Sequence, residues 1–377
     1  MMTTPVLTDA SCYIGLMSGT SLDCIDAVLV QLQTDGTMTI LATQSVPIVD
    51  ALRQKILALN APCTNDLARS LALDVQMGEL LAQAVLSLLS CAHVQPAAVR
   101  AIGSHGQTLR HEPLAAHPYS HQIGNAAIIA ERTGITTVYD FRMRDIAAGG
   151  QGAPLASAFH RAVLKPKHPN DCVIINIGGM SNVTLLQGAS CVGFDTGPGN
   201  VLMNAWVHKH RGTDYDENGA WASSGNCLVD LLQKWLAHDY FKLPPPKSTG
   251  RELFSTQWLD KQNLTQYDPA DVQATLMALT AQTIVDAIPN DITDYFVCGG
   301  GAHNGALLDA LAAKSGANVN TTASAPFELS PDWVEAVTFA WLAMRTLDGQ
   351  ANNCPEVTGA SGLRVLGSIC PGALHCG

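Results

Sequence analysis

Short apolar runs, joined by turns of Gly, Ser, Thr and Asp, open the chain. The runs at 13–17, 27–32 and 38–46 follow one another closely, which predicts three strands of an antiparallel meander. From Asn65 to Cys91 the apolar residues instead recur at helical spacing, which predicts one long helix. We place six residues on its buried stripe: Leu67, Leu71, Val75, Leu81, Val85 and Leu88.

A comparable layout restarts after Pro169, where CVIIN, a Gly-rich turn, VTLLQ and CVGF predict three more strands. Because both halves open in this way, the sequence predicts two related domains. The polar, Gly-rich stretch DFRMRDIAAGGQGAP is the expected junction, which divides the chain into 1–145 and 146–354. The remaining pattern predicts strands at VRAIG, TTVYDF, DYFVCGG and 317–321, and helices at 126–133, 200–210, 224–238, 270–288, from Asn304 and at 331–347.

Composition limits the classes of function. Of the 377 residues, 47% are hydrophobic and 14% are charged, so the chain can bury two cores and contains little disorder. The formal net charge of −11 argues against nucleic acid and anionic membranes, which both attract basic patches. Eleven cysteines without a recognisable secretory signal predict a reduced, cytoplasmic protein. We interpret the apolar stretches as too short or too interrupted to span a bilayer.

Three Gly-rich turns carry the strongest chemical signal: 18–26, 176–182 with 195–200, and 299–304. Such turns present consecutive backbone N–H groups, which can hold a phosphate where few cations are available. Their carboxylates fit a phosphate site if Mg²⁺ intervenes or if one of them acts as a base. The alternative is that these are ordinary tight turns with capping hydroxyls. Since GxxxxGK[ST] and a Rossmann GxGxxG are absent, a two-domain nucleotide clamp resembling actin, hexokinase and Hsp70 is favoured.

The ordered motifs make the resemblance more specific. GLMSGTSLDCID, GSHGQT, DFRMRDIAAGGQGAPL, NIGGMSN, FDTGPGN, KSTGRE, CGGGAHN and the later VTGAS resemble the motif set of the anhydro-N-acetylmuramic acid kinase family over essentially the whole chain. The resemblance implies an α/β fold of the two-domain actin-like ATPase (ribonuclease H-like) class with an interdomain nucleotide cleft. It also implies that the segment at about 355–377 returns to the first domain. The implied activity is ATP-dependent cleavage of a 1,6-anhydro sugar with phosphorylation of O6, in cell-wall recycling.

The same resemblance implies which residues bind ATP. The first hairpin is expected to contribute Gly19, Thr20, Ser21, Leu22, Asp23, Cys24, Ile25 and Asp26, with Asp23 and Asp26 holding Mg²⁺ through water. The second half is expected to contribute Asn176, Gly178, Gly179, Asn182, Gly197, Gly199 and Asn200, and, on the adenosine side, Gly299, Gly300, Gly301 and Asn304. Position 24 is usually Gly in the family motif. If the backbone there needs a positive φ, Cys24 costs about 1 kcal/mol relative to Gly.

Asp195 is our choice for the catalytic base. It follows an apolar strand and precedes Gly-Pro-Gly, which places a carboxylate rigidly at an open sheet edge. A carboxylate suits a water nucleophile that attacks an anomeric carbon with oxocarbenium character. The alternative is that Asp195 only caps the helix that begins near Asn200.

Residues for sugar recognition are expected at strand ends and at the domain junction. Ser104, His105, Gln107 and Thr108 offer donors and acceptors, although His105 can equally be a satisfied core histidine. Arg142 suits the lactyl carboxylate of a muramic acid, since guanidinium groups bind carboxylates bidentately. A salt bridge from Arg142 to Asp140 or Asp145 is equally natural, and Asp145 is itself a candidate. Glu335 is a further candidate near the water, or a solvated first-turn glutamate.

Two other functions are consistent with parts of this pattern. An ordinary sugar or carboxylate kinase of the same fold would use a substrate hydroxyl as nucleophile, with Asp195 again the base. A non-enzymatic ATP-switched binding protein is the second rival, but we expect no peptide-binding domain after the ATPase core. The expected partner is a small-molecule substrate, with neither nucleic acid nor membrane, and we predict a homodimer.

Overall fold

The apolar runs at the N-terminus form the antiparallel meander that their spacing predicts. The computed structural model describes residues 10–19, 22–33, 37–60, 63–250 and 253–373. These residues divide into two units. The first comprises the described residues to Val163, Glu335–Pro355 and the described residues from Gly359, and the second comprises Leu164–Val334 and Glu356–Thr358.

The first unit contains a six-stranded mixed sheet. The strands are β1 (Ala10–Ser18), β2 (Cys24–Gln33), β3 (Met38–Pro47), β4 (Val99–Ser104), β5 (Gln107–Glu112), β6 (Tyr119–Ile123), β7 (Thr137–Tyr139) and β13 (Ser368–Cys370). Antiparallel pairing joins β1 to β2 and β2 to β3, while β4 and β7 continue the sheet in parallel with β1. The order is β13-β7-β4-β1-β2-β3, and β5 and β6 form a separate hairpin. Its helices are α1 (Asp50–Leu57), α2 (Asp66–Ala92), α3 (Ala126–Thr133), α4 (Phe141–Ala147), α5 (Ala156–Phe159) and α12 (Val334–Leu347).

The long helix α2 forms as predicted, but half of the predicted buried stripe is wrong. Leu81, Val85 and Leu88 are buried, whereas Leu67, Leu71 and Val75 are exposed. The stripe that packs in the core runs instead through Leu73, Met77, Leu81, Ala84, Val85 and Leu88. Because apolar residues lie on more than one face of α2, periodicity did not identify the face that packs.

By length and composition alone, α2 could cross a membrane, so our interpretation of the apolar stretches was wrong on that point. In this structure its buried residues belong to the core that also contains Ile14, Leu16 and Leu29 of the sheet. A core helix passes the same test of length and hydropathy.

Helix α12 lies directly against the first sheet. A Cβ on Gly15 of β1 would overlap the carbonyl oxygen of Ala336, and one on Gly103 of β4 would overlap that of Phe339. This close approach makes the 335–355 segment part of the first unit, although we placed it in the second domain. The boundary also lies after Val163 rather than after residue 145, because α4 and α5 remain with the first unit.

The second unit contains a five-stranded sheet. Its strands are β8 (Cys172–Ile177), β9 (Met180–Gln187), β10 (Ser190–Pro198), β11 (Asp294–Cys298) and β12 (Asn318–Thr321). Their order in the sheet is β10-β9-β8-β11-β12. β8, β9 and β10 form an antiparallel meander, while β11 and β12 extend it in parallel with β8. Its helices are α6 (Val201–Arg211), α7 (Ala220–Ser223), α8 (Val229–Leu236), α9 (Thr256–Asp260), α10 (Pro269–Val285) and α11 (Gly305–Ser315), and the short α13 (Pro355–Thr358) follows later in the chain.

Both sheets therefore repeat one arrangement, an antiparallel three-stranded meander whose first strand pairs in parallel with the fourth, which pairs in turn with a fifth. The repeat confirms the predicted α/β fold with two related units and agrees with the actin-like ATPase class that the motifs imply. Short helical turns complete the chain at Pro96–Ala98, His160–Leu164, Lys165–Lys167, Glu217–Gly219, Asp239–Lys242, Leu264–Gln266 and Gly300–His303.

Candidate active site

Three of the predicted Gly-rich segments meet at one edge of the second unit's sheet. β8 and β11 are parallel, and β10 runs in the same direction because both flank β9 in antiparallel pairs. The segments after these strands, 178–179, 199–200 and 299–301, therefore leave the sheet at the same edge.

A row of polar side chains crosses the sheet at this edge. Asn182 of β9 pairs with Asn176 of β8 on one side and with Asp195 of β10 on the other. Directly paired residues project from the same face of a sheet, so these three predicted site residues share one face.

Hydrogen bonds tie the first two turns together. The N–H of Asn200 donates to the carbonyl of Gly178 (2.8 Å), and that of Gly199 donates to the carbonyl of Gly179 (2.9 Å). Gly178 donates its own N–H to Met180 O (3.1 Å). Three N–H groups that we expected to face a phosphate thus satisfy carbonyls of the turns, because buried backbone groups require partners.

The third turn packs against Asn176. Gly299 adopts a φ of +75°, and a Cβ there would overlap the side-chain oxygen of Asn176. That oxygen, Oδ1, is buried and accepts no hydrogen bond from any of the described residues. Gly300 and Gly301 begin a short helical turn, and Asn304 caps α11 by accepting the N–H of Leu307 (3.0 Å). Asn304 therefore begins the helix, as predicted.

Asp195 is buried and is held by one later segment, 239–249. Its backbone N–H donates to Lys247 O (3.1 Å), and its backbone carbonyl accepts the hydroxyl of Tyr240 (2.6 Å). Its Oδ2 accepts the N–H of Thr249 (2.9 Å). Asn200, and not Asp195, occupies the N-cap of α6, so the capping alternative is wrong.

The 239–249 segment also contributes rings and a cation. The ring of Phe241 fills the space where Gly197 would carry a Cβ. The Lys247 ammonium lies 4.9 Å from the centre of the Tyr240 ring and 5.8 Å from that of Phe194. Burial lowers the pKa of Lys247, and the nearby Asp195 carboxylate opposes this lowering. Tyr240 and Thr249 were missed at the sequence level, where KSTGRE was the only signal.

In the first unit, the first hairpin leaves little freedom for side chains. Thr20 and Ser21 lie outside the described residues. Leu22 and Ile25 are core residues, so only their backbone can face a ligand. Leu22 donates its N–H to Gly19 O (3.3 Å) and adopts a φ of +59°.

Cys24 begins β2, opposite Pro47 of β3, and is not among the residues with positive φ. The strain that we considered at position 24 therefore does not arise, and the left-handed residue is Leu22. The Cys24 thiol donates to Oδ1 of Asp26 (3.3 Å), which also accepts the hydroxyl of Ser45 (2.6 Å). Burial, followed by the Asp26 carboxylate, raises the pKa of Cys24 to about 12.

The carboxylates of this hairpin do not form a metal cluster by themselves. Asp23 is exposed and lies 3.5 Å from the guanidinium of Arg53. Within the described residues there is no group of three or more His, Cys, Asp or Glu that could hold a metal ion.

The sugar candidates of the first unit form a connected network. Arg142 donates from Nε (3.1 Å) and Nη2 (2.7 Å) to Nε2 of His105, and from Nη1 to Gly152 O (2.7 Å). His105 Nδ1 lies 2.8 Å from Gly106 O, an acceptor only, so Nδ1 carries the proton. Burial, followed by the charge of Arg142, holds the pKa of His105 well below its ordinary value. His105 is therefore a buried, neutral acceptor that positions Arg142.

The remaining candidates have mixed environments. Gln107 accepts the hydroxyl of Ser18 (2.6 Å), and Thr108 accepts from Gln122 (3.1 Å). The hydroxyl of Ser104 is buried and has no hydrogen-bond partner among the residues that the structure describes. Asp145 is fully buried and accepts from the N–H of Gly152 (2.9 Å) and from Asn353 (3.3 Å). Glu335, in the first turn of α12, is half-buried.

Comparison with known proteins gives a consistent result. The family model described as anhydro-N-acetylmuramic acid kinase matches residues 11–372. The curated anhydro-N-acetylmuramic acid kinase of Thiobacillus denitrificans is 48% identical over 371 residues, covering 96% of this chain and 98% of the relative. That of Pseudomonas fluorescens is 48% identical over 365 residues, covering 95% and 99%.

Likeness to solved structures is weaker. The activator of the 2-hydroxyisocaproyl-CoA dehydratase from Clostridium difficile with bound ADPNP matches with a TM-score of 0.46 and 11% identity, over 89% of this chain and 96% of that chain. This likeness is too low to support an inference about the present chain.

Proposed function

The chain belongs to the anhydro-N-acetylmuramic acid kinase family, and we propose the reaction of its active site on that premise. The enzyme is a sugar kinase. With ATP it hydrolytically opens the 1,6-anhydro ring of 1,6-anhydro-N-acetylmuramic acid and phosphorylates O6. The products are N-acetylmuramic acid 6-phosphate and ADP, and the reaction belongs to peptidoglycan recycling.

The observation that carries this mechanism is the fixed carboxylate of Asp195, which lies in the row formed with Asn176 and Asn182. Asp195 takes a proton from a water molecule as the water oxygen bonds to the anomeric carbon. The bond from that carbon to O6 breaks, and O6 forms a bond to the γ-phosphorus of ATP as the bond to ADP breaks. A positioned carboxylate contributes about 10² to 10⁴ in rate to such a proton transfer.

The residues at the sheet edge fit a nucleotide. The buried Oδ1 of Asn176 lacks a donor, and the adjacent Gly299 has no side chain to separate a ligand from the backbone. Adenosine offers amino and hydroxyl donors, whereas the ionised phosphate oxygens of ATP are acceptors. The N–H groups of Gly300 and Gly301, at the beginning of a helical turn, suit an anionic or carbonyl acceptor.

Magnesium fits only as an ion that arrives with the phosphates. Mg²⁺ in phosphate sites usually keeps several waters and needs one or two carboxylates, which Asp23 and Asp26 can supply through those waters. When bound, the ion neutralises the charge that develops on the transferred phosphoryl group.

Arg142 is our choice for recognition of the lactyl carboxylate. Neutral His105 and the Gly152 carbonyl both accept hydrogen bonds from its guanidinium and orient that group. An Arg oriented in this way favours bidentate binding of a carboxylate. An anhydro sugar without the lactyl group is therefore expected to show a higher KM.

The test is turnover of 1,6-anhydro-N-acetylmuramic acid with ATP and Mg²⁺ in ¹⁸O-labelled water, followed by mass spectrometry. A 6-phosphorylated product with the label at its anomeric oxygen supports the proposal. Phosphorylation without label indicates an ordinary kinase that uses a substrate hydroxyl. Absence of any sugar phosphate, with ATP bound, contradicts the proposed substrate.

We also infer a cytoplasmic location and a homodimer, since the substrate and ATP meet inside the cell and two-fold dimers are the commonest oligomers. Sedimentation velocity at several protein concentrations tests the second inference, and a monomer at all of them contradicts it.

A further inference from the structure

Lys247 makes two different kinds of contact around Asp195. Its backbone carbonyl accepts the N–H of Asp195 (3.1 Å), which anchors the end of β10. Its side chain turns to the rings of Phe194 and Tyr240, which are the sequence neighbour of Asp195 and the donor to its carbonyl. Lys247 therefore contacts the backbone of Asp195 and holds its ammonium against the rings of two residues that adjoin Asp195.

The Lys247 side chain is held in that position. Its Nζ donates to the carbonyl of Tyr240 (3.4 Å), and two aromatic faces attract the ammonium. The side chain is only partly exposed, and a charge removed from bulk water acts on its neighbours more strongly than an exposed one.

Three other neighbours of Asp195 are uncharged. From the 239–249 segment, Tyr240 bonds to the backbone carbonyl and Thr249 donates a neutral N–H to Oδ2. From β9, Asn182 faces Asp195 and carries no charge.

We propose, on the basis of the proposed function, that Lys247 is a positioning residue for Asp195, whose ammonium keeps the carboxylate ionised and ready to accept the proton of the attacking water. A nearby positive charge favours the ionised form of a carboxylate, and its removal disfavours that form. The proposal concerns the pH at which the base is available and not the binding of either substrate.

The test compares Lys247→Met, which keeps an unbranched apolar stem, with Lys247→Arg, which keeps the charge. In Lys247→Met we expect the acid limb of the kcat profile to move up by about 1 pH unit, the alkaline plateau to stay within about twofold, and both KM values to stay within about twofold. Lys247→Arg should restore most of the shift. Lys242→Met is the matched control, because Lys242 lies in the same segment but in an exposed pair with Asp239 (2.9 Å).

A second readout needs no turnover. The ¹³C signal of the Asp195 carboxyl, assigned with Asp195→Asn, should show its inflection at higher pH in Lys247→Met than in the unmodified enzyme. An unmoved inflection, or a fall in kcat that is equal at every pH, overturns the proposal. If the unmodified enzyme fails to convert the anhydro sugar while the inflection moves, the proposed function fails and the role of Lys247 stands.

Discussion

The hydroxyl of Tyr240 donates a hydrogen bond of 2.6 Å to the backbone carbonyl of Asp195, and both groups are buried. The two residues are 45 positions apart in the chain, so this bond fixes the end of β10 against a later loop. A base that is held at its backbone keeps its carboxylate in one place, and small displacements of a catalytic group are costly in rate.

We therefore expect Tyr240→Phe to lower kcat about tenfold and to leave the KM for ATP within about twofold. The lost bond should also lower the free energy of unfolding by about 1 kcal/mol. Tyr295→Phe is the control, because Tyr295 is 2% exposed, against 3% for Tyr240, and its hydroxyl interacts with Ser315 instead. Urea unfolding and steady-state kinetics measure both effects, and an equal loss of kcat in the two variants contradicts a specific role.

Removal of the base itself is the more direct experiment. Asp195→Asn keeps an oxygen that can accept the N–H of Thr249, so the variant should fold and bind ATP. Turnover should fall by about 10² to 10⁴, because the amide cannot accept the proton of the water. Calorimetry with a non-hydrolysable ATP analogue checks binding, and activity close to normal would remove Asp195 from the mechanism.

The sequence allowed some of this site to be predicted. Asn176, Asn182 and Asp195 were all candidates, and pairing of β8 with β9 and β10 places them in one row. The hydrogen bond from Thr249 to Asp195 joins a loop to a strand 54 residues away in the chain. Neither the apolar periodicity nor the spacing within a motif can predict a contact at that distance. The environment of His105 was undecided for the same reason, since Arg142 reaches it from α4.

The fold shows the same contrast between local and distant information. Alternating apolar runs predicted the meander of β1, β2 and β3, because hairpin-connected strands pair with their neighbours. The place of α12 in the first unit depends on Gly15 and Gly103, which let the helix backbone approach β1 and β4. Two isolated glycines do not reveal such a contact before the fold is known.

Acid is expected to destabilise the enzyme through the half-buried His111 and the buried His160. Burial lowers the pKa of His111 to about 4 and that of His160 to about 3, against an ordinary value of 6.5. Their unfolded forms therefore bind protons below pH 6.5 while the folded forms stay neutral, so stability is full above pH 6.5 and falls as the pH drops toward 4. Each such histidine contributes about 1.4 kcal/mol per pH unit within that window.

His111→Gln should remove one of these contributions. The free energy of unfolding by urea, measured between pH 6 and 5, should then fall by about 1.4 kcal/mol less than in the unmodified enzyme. An exposed histidine, His117, gives the matched control variant His117→Gln. Equal slopes in all three proteins would contradict the neutral state of His111.

The thiol of Cys24 should be unreactive because burial, followed by the Asp26 carboxylate, raises its pKa. With a pKa raised to about 12, it is almost wholly protonated at pH 8, and the thiolate is the reactive form. Iodoacetamide at pH 8 should modify the exposed Cys91 at least about 100 times faster than Cys24, as followed by peptide mass spectrometry. In Asp26→Asn the Cys24 rate should rise, because one neighbouring negative charge is removed; comparable rates at Cys24 and Cys91 in the unmodified enzyme contradict the assignment.

Gly299 tests the proposed nucleotide side of the site. Its φ is +75°, and a Cβ would overlap Oδ1 of Asn176, so Gly299→Ala should combine backbone strain with displacement of that amide. Gly316 offers a matched control at the end of α11, since its φ is +68° and a Cβ there would meet nothing within 4 Å. Gly316→Ala should cost about 1 kcal/mol of stability and leave the KM for ATP unchanged. Gly299→Ala should raise that KM about tenfold beyond the control, because the added Cβ displaces the Asn176 Oδ1 that we propose as an acceptor for adenosine. A KM for ATP equal in the two variants would show that the Gly299 turn does not contact the nucleotide.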